Sequence, residues 1–392
     1  MVRKEEIENR LGKMLLVSCC YSFLVNGMLV LATGAVMPYL LKDFKLDYAQ
    51  GGFLLLIQAA GNLISGVASG IISVYIGRKW TLLMGAAAFF AGFGGITLTS
   101  SASLLTVFIF ISGLGWGTVN NLVNAVLTDK TKGKGSIINI LHTSFAVGAF
   151  SAPALTGLAV ASGVGWRSVT ALVSGLSLIL MVVFLFLRIE PAGTLRKREK
   201  LSLDFLREFR YYIFMGVLFF YVGSEVSIGG WLVTYLIDAD ITGEAAAQSM
   251  LSLLWIAVIF GRLLCAWITG IFPKKKVILA CSICTIAFYG LFLLLKTPAV
   301  LYPCIFFLGI SLAGIYPTTV ADASYLTRGS GIASGILFSF GGIGASVMPY
   351  LTGVFAQYGG IRSGMLVILF SCTLLAFFAL LNGIGHKEKI AE

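Results

Sequence analysis

Apolar runs long enough to cross a bilayer recur along the whole chain, and that recurrence constrains the fold more than any motif does. A hydrocarbon core ~30 Å thick takes ~20 residues of helix. Twelve such runs can be drawn, over 14–41, 51–73, 81–99, 104–127, 137–161, 168–187, 211–237, 249–270, 277–295, 300–325, 331–357 and 363–385. Runs of this length satisfy their backbone groups internally as helices, whereas a membrane barrel needs shorter strands of alternating polarity. With 58% hydrophobic and only 11% charged residues in 392, there are too few charges to coat a soluble core. The predicted fold class is therefore an all-α integral membrane protein with twelve transmembrane helices in two six-helix pseudo-repeated bundles.

The net charge of +11 does not point to nucleic acid, because the basic residues sit in the short segments between runs. An even number of spans puts both ends of the chain on one face. The segments on that face hold 22 Lys and Arg, against 5 on the other, so both termini are expected in the cytoplasm. The polar first thirteen residues and the long run after them do not read as a cleavable signal. Seven cysteines all lie inside apolar runs and read as small core residues; Cys281 and Cys284 form a CxxC with no second pair or His beside it.

The second half of the chain repeats the first. At an offset of 196 residues, Gly113 matches Gly309, Gly148-Ala149 matches Gly344-Ala345, Pro153 matches Pro349, and Leu155-Thr156-Gly157 matches Leu351-Thr352-Gly353. Each repeat has an even number of spans, so the halves share one orientation, the arrangement that places a substrate site between them near the midplane. The reading is an N-terminal bundle over 1–187, a cytoplasmic linker over 188–210 and a C-terminal bundle over 211–392, with Leu201 to Arg210 able to lie amphipathically on the membrane surface.

Glu225 stands almost at the centre of the seventh run. A carboxylate there costs at least ~2–3 kcal/mol, so it turns toward the bundle interior or a wet cavity. At 100° per residue Tyr221, Ser224, Glu225, Trp231 and Tyr235 share one face, which reads as the lining of a pathway; a Glu that only fixes helix packing is the alternative. Asn120, Asn121 and Asn124 in the fourth span, Asn26 in the first and Gln58 in the second offer amide donors and acceptors suited to hydroxyl-rich ligands, with interhelical bonding as the competing role. Trp116, Trp231, Tyr235 and Tyr316 offer rings for a sugar to stack on, and Tyr316-Pro317 can bend the tenth span. His142 is a second candidate for carrying a coupling proton. Arg262 and Asp322 are read as an ion pair that closes the cytoplasmic side. No G-x-x-x-x-G-K-[ST] loop or HExxH pair occurs, so direct ATP use, enzymatic chemistry and a bound metal or cofactor are not expected; H⁺ or Na⁺ is the candidate coupling ion.

The segment Gly70-Ile-Ile-Ser-Val-Tyr-Ile-Gly77-Arg78-Lys79 resembles the signature loop G-x-x-x-D-R-x-G-R-K of the major facilitator superfamily, with Val74 in place of its Asp and Tyr75 in place of its first Arg. Arg78 is thereby implied as a gating or structural charge. Asn139-Ile-Leu-His142, followed by Gly148-Ala149 and Pro153, resembles the fifth-span pattern of the fucose/glucose-type sugar:cation symporters, and Tyr221-Val-Gly-Ser-Glu225 resembles their seventh-span Y-V-G-x-E. The acids that proton-coupled fucose porters carry in spans one and four are missing, with Asn120 at the second of those positions. The resemblance implies a monomeric secondary transporter of the cytoplasmic (inner) membrane, moving a small neutral hydroxylated solute such as a sugar by alternating access, with the lipid bilayer as its other partner. An efflux antiporter for hydrophobic or cationic compounds, a lipid flippase and a non-transporting sensor remain as alternatives.

Overall fold

The computed structural model describes residues 2–131, 135–187, 189, 204–327 and 331–384. Its helices are α1 (Val2–Asp43), α2 (Tyr48–Ile76), α3 (Arg78–Leu98), α4 (Ala102–Thr131), α5 (Gly135–Ala161), α6 (Arg167–Phe186), α7 (Phe209–Asp238), α8 (Glu244–Ile268), α9 (Lys274–Leu294), α10 (Pro298–Ala313), α11 (Ile315–Thr327), α12 (Gly331–Gly359) and α13 (Ile361–Gly383). Together α10 and α11 make one span, and among the described residues twelve spans are long and apolar enough to cross a membrane. It is a multi-pass membrane protein. Below, the terminal face is the one from which α1 rises, and the distal face is the opposite one.

Local sequence sets the boundaries. Asp47 accepts from the Gln50 amide while the Gln50 side chain accepts from the Asp47 amide, a capping box that starts α2 after a short distal turn. The tenth span breaks at Gly314, three residues before Pro317, whose ring cannot follow a regular turn. Much of the predicted linker, 188 and 190–203, lies outside the described residues. Within its described part, Asp204–Arg207 is a single 3-10 turn and α7 starts at Phe209, which replaces the amphipathic surface helix expected over Leu201 to Arg210.

The sequence repeat is a repeat of packing. Gly113 of α4 lies against the Gln58 carbonyl of α2, and Gly309 of α10 lies against the Leu254 carbonyl of α8. Gly148 of α5 meets the Leu24 carbonyl of α1, as Gly344 of α12 meets the Phe219 carbonyl of α7. At these sites a Cβ would strike backbone, so the glycines are what lets the helices approach so closely. Between the halves, Gly157 of α5 lies against Gln248 of α8, and its repeat partner Gly353 of α12 lies against Tyr48 and Gly52 of α2. Two seams, α5 with α8 and α2 with α12, thus join the halves by related contacts. Burial marks the helices nearest the axis: the apolar window is 67% buried in α7 and 61% in α1, but 33% in α2.

The distal side is closed. Tyr39 donates to Glu244 at 3.1 Å, and Tyr48 donates through its hydroxyl to Asp238 at 2.9 Å and through its amide to Gln357 at 3.1 Å. Gln248 donates to the Ala35 carbonyl at 2.6 Å, and Ser252 donates to the Phe150 carbonyl at 3.2 Å. These bonds all join one half to the other on the distal side. Gly34 of α1 also packs directly on the Gly229 carbonyl of α7, bringing the axial helices together there.

Candidate functional site

Glu225 lies on the most buried helix, enclosed by protein yet only partly shielded from solvent, so its carboxylate borders an internal space. One turn earlier, the Tyr221 hydroxyl donates to Glu225 Oε1 at 2.8 Å, as the spacing of four residues on a helix allows. The Tyr221 ring lies 6.3 Å from that of Tyr316 on α11, which in turn stacks on Phe338 of α12 at 6.3 Å with the planes 28° apart. The break at Gly314 matters here, because it starts the new helix that carries Tyr316. The Glu225 carboxylate, the phenols of Tyr221 and Tyr316 and a ledge of aromatic rings thus meet between α7, α11 and α12. Such a set can hold hydroxyl groups at its polar end and the apolar face of a ring against its walls.

Arg262 of α8 supplies the positive charge of this region. It acts electrostatically on Glu225 and Tyr221 and on His142 of α5, across the boundary between the halves. His142 is partly buried, and its ring is edge-on to Phe23 at 5.5 Å. This corrects the expected closing pair. Asp322 makes no ion pair with Arg262 and instead accepts from Asn382 of α13 at 2.9 Å, because its helix face turns outward from the boundary. Arg78 pairs with Asp129 at 2.6 Å, joining the start of α3 to the end of α4, so it holds one half together at the terminal face.

The amides predicted to line a pocket divide. Gln58 is buried and donates to Thr33 at 2.9 Å and Ser112 at 3.2 Å, tying α2 to α1 and α4. Asn121 donates to the Gly66 carbonyl and to Ser69, and Asn124 donates back to the Asn120 carbonyl. Asn120 itself is half-buried. Trp231 and Tyr235 do not join Glu225. Trp231 is fully buried in the closed distal seam, where its indole donates to the Pro349 carbonyl at 3.0 Å, and Tyr235 packs on Phe292 of α9. Ser224 pairs with Ser371 of α13 at 2.9 Å. Neighbours surround α7, so residues on one arc meet different helices at different depths.

Buried atoms without partners reveal what side-chain type alone did not. Both polar atoms of Asn26, the Thr234 hydroxyl, Gln248 Oε1 and the Trp255 indole nitrogen are buried and unpaired. Each such group costs ~1–3 kcal/mol. Gly27, the residue after Asn26, touches the Phe145 backbone, and the Phe145 ring is edge-on to Trp255 at 6.3 Å. Neither Trp255 nor Phe338 stood out in the sequence, since a single aromatic residue in an apolar span carries no signal.

Comparison with known proteins matches this architecture. The chain is 26% identical over 367 residues to sodium-dependent glucose transporter 1 of Xenopus laevis, covering 84% of this chain and 74% of that protein. It is 22% identical over 321 residues to the glucose/mannose transporter GlcP of Bacillus subtilis (strain 168), covering 78% and 79%. The crystal structure of the nucleoside transporter NupG superposes with a TM-score of 0.75 at 16% identity, covering 96% of this chain and all of that one. The sequence model of the Major Facilitator Superfamily matches residues 19–346. On that match, borne by twelve spans packed as two repeated halves, the chain belongs to the Major Facilitator Superfamily.

Proposed function

We propose that this membrane transporter carries a small neutral hydroxylated solute, a sugar, across the cytoplasmic membrane by alternating access, coupled to H⁺ or Na⁺ through Glu225. The observation that carries the reading is the Tyr221–Glu225 pair set beside the aromatic ledge of Tyr316 and Phe338. The buried, unpaired amide of Asn26 and indole of Trp255 are neutral donors and an acceptor of the kind that bond hydroxyl groups. The named sugar carriers among its relatives support the same class.

In this reading, 1–187 and 211–392 are the two rocking bundles, joined by 188–210, and one chain suffices as the working unit. The excess of basic residues assigns the terminal face to the cytoplasm. The closed distal seam then makes this a state shut toward the outside. Solute reaches Glu225 from outside once the Tyr39–Glu244 and Tyr48–Asp238 bonds part. Arg262 serves as the counter-charge of Glu225: a cation at Glu225 relieves that attraction, and the halves become free to change their angle.

The test is ligand-induced thermal stabilisation of the purified protein across hexoses, pentoses, polyols, nucleosides and lipophilic cations, at two pH values and with or without Na⁺. A ligand that binds only the folded state raises its melting temperature with occupancy. A sugar response that depends on pH or Na⁺ and is weakened in Glu225→Gln is the expected result. A response confined to lipophilic cations overturns the sugar reading in favour of efflux.

A further inference from the structure

On the distal half of the α5–α8 seam a groove of about 470 Å³ opens to the side of the bundle. One wall is Phe150, Ala154 and Gly157 of α5; the other is Leu253 and Ile256 of α8, with Tyr302 of α10 at the edge. The groove is shut off from the protein interior. The Ser252 hydroxyl reaches the Phe150 carbonyl at 3.2 Å, and Gly157 lies against Gln248. Outward it is open, with Leu158 67% exposed and Ser249 also exposed. The apolar walls disfavour water, and every wall helix is a membrane span. Near the distal ends of α8 and α10 the groove is edged by a hydroxyl pair, Ser249 Oγ and Tyr302 OH, 2.7 Å apart. That is the depth at which amphipathic tyrosines meet lipid headgroups.

We infer that this groove holds one acyl chain of a membrane phospholipid, with the lipid's ester group at the Ser249–Tyr302 pair, and that the bound chain favours the distally closed state. The second part follows from where the walls belong. One is on the first half of the chain and the other on the second, so rocking the halves changes the width of the groove. A ligand shifts a two-state equilibrium only by its difference in affinity for the two states, and a groove shaped by the angle between the halves supplies that difference. This part rests on the alternating-access reading; the occupancy of the groove does not.

The full-length protein is reconstituted in phosphatidylethanolamine vesicles doped with phosphatidylcholine carrying a photoactivatable diazirine acyl chain, without sugar. After irradiation, lipid adducts are mapped by mass spectrometry. Adducts on 150–161 and 245–256 are expected at several times the density found around the exposed Trp80 and Phe90 of α3. Filling the groove from either wall, with Ala154→Trp or Ile256→Trp, reduces them severalfold, and the two variants check each other should one fold poorly. Equal labelling of α3, or labelling unchanged in both folded variants, overturns the site. Releasing the distal seam with Tyr48→Phe and Asp238→Asn together is expected to lower groove labelling about as far. Undiminished labelling there overturns the state preference while leaving occupancy intact. Because no sugar is present, failure of the sugar reading has no effect on this experiment.

Discussion

The two halves of this protein pack alike and are furnished differently. Gly148 and Gly344, or Gly113 and Gly309, perform the same close approach half a chain apart. Yet Glu225 has only Leu29 and Val30 near its equivalent position, Tyr316 answers to Asn120, and Arg262 answers to Gly66. What both halves need in order to fold has been kept in both. What only the site needs stands in one. The carboxylate, the guanidinium and the stacked rings of the proposed site all come from the second half, while the amides Gln58, Asn121 and Asn124 of the first are bonded within it.

The largest effects break the shared part of this comparison. Gly148→Leu and Gly344→Leu both force a side chain into a neighbouring helix backbone. Each is expected to cost at least ~3 kcal/mol, seen as a fall in melting temperature of the detergent-purified protein, with similar losses in the two halves. A tolerated substitution in one half alone would show that the packing repeat is not a functional equivalence. The unshared part comes next. Glu225→Gln is expected to lower gradient-driven uptake in proteoliposomes at least ~tenfold, ~1.4 kcal/mol, while Asn120→Ala changes it by less than ~threefold. The reverse order would move the centre of the site to the first half.

Smaller effects are expected at the closed distal seam and inside the first half. Tyr48→Phe removes one neutral-to-carboxylate bond of the distal seam, shifting the balance toward the outward state by ~0.5–1.5 kcal/mol. The shift is read from the reactivity of a single cysteine at Leu55, buried in that seam, toward an impermeant maleimide in a background with the native cysteines replaced. Smallest of all is Asn121→Ala. It loses the bonds to Gly66 and Ser69 inside one half, so it is expected to lower stability by ~0.6 kcal/mol with uptake unchanged.

Much of the fold was legible because bilayer thickness and backbone hydrogen bonding leave a chain of long apolar runs few choices. The glycine offset further carried the internal repeat. The site was legible only where one residue defied its surroundings, as Glu225 does. Its first partner, Tyr221, follows from helical spacing, but Tyr316, Phe338 and Arg262 come to it from other helices, and no periodicity encodes which helices meet. Trp231 and Tyr235 mislead for the same reason. They share an arc with Glu225 on paper, but α7 is packed on nearly every side, and that arc crosses into the distal seam. Arg262 and Asp322 were matched by depth and opposite charge, whereas Asp322 faces α13.

Coupling of a cation to the movement of a neutral sugar through Glu225, as proposed, is tested most directly by comparing labelled-sugar accumulation with sugar counterflow in proteoliposomes, for wild type and Glu225→Gln, under an imposed H⁺ or Na⁺ gradient. Wild type is expected to accumulate sugar above equilibrium, and the variant to exchange sugar by counterflow without accumulating it. Accumulation by Glu225→Gln equal to wild type would contradict it.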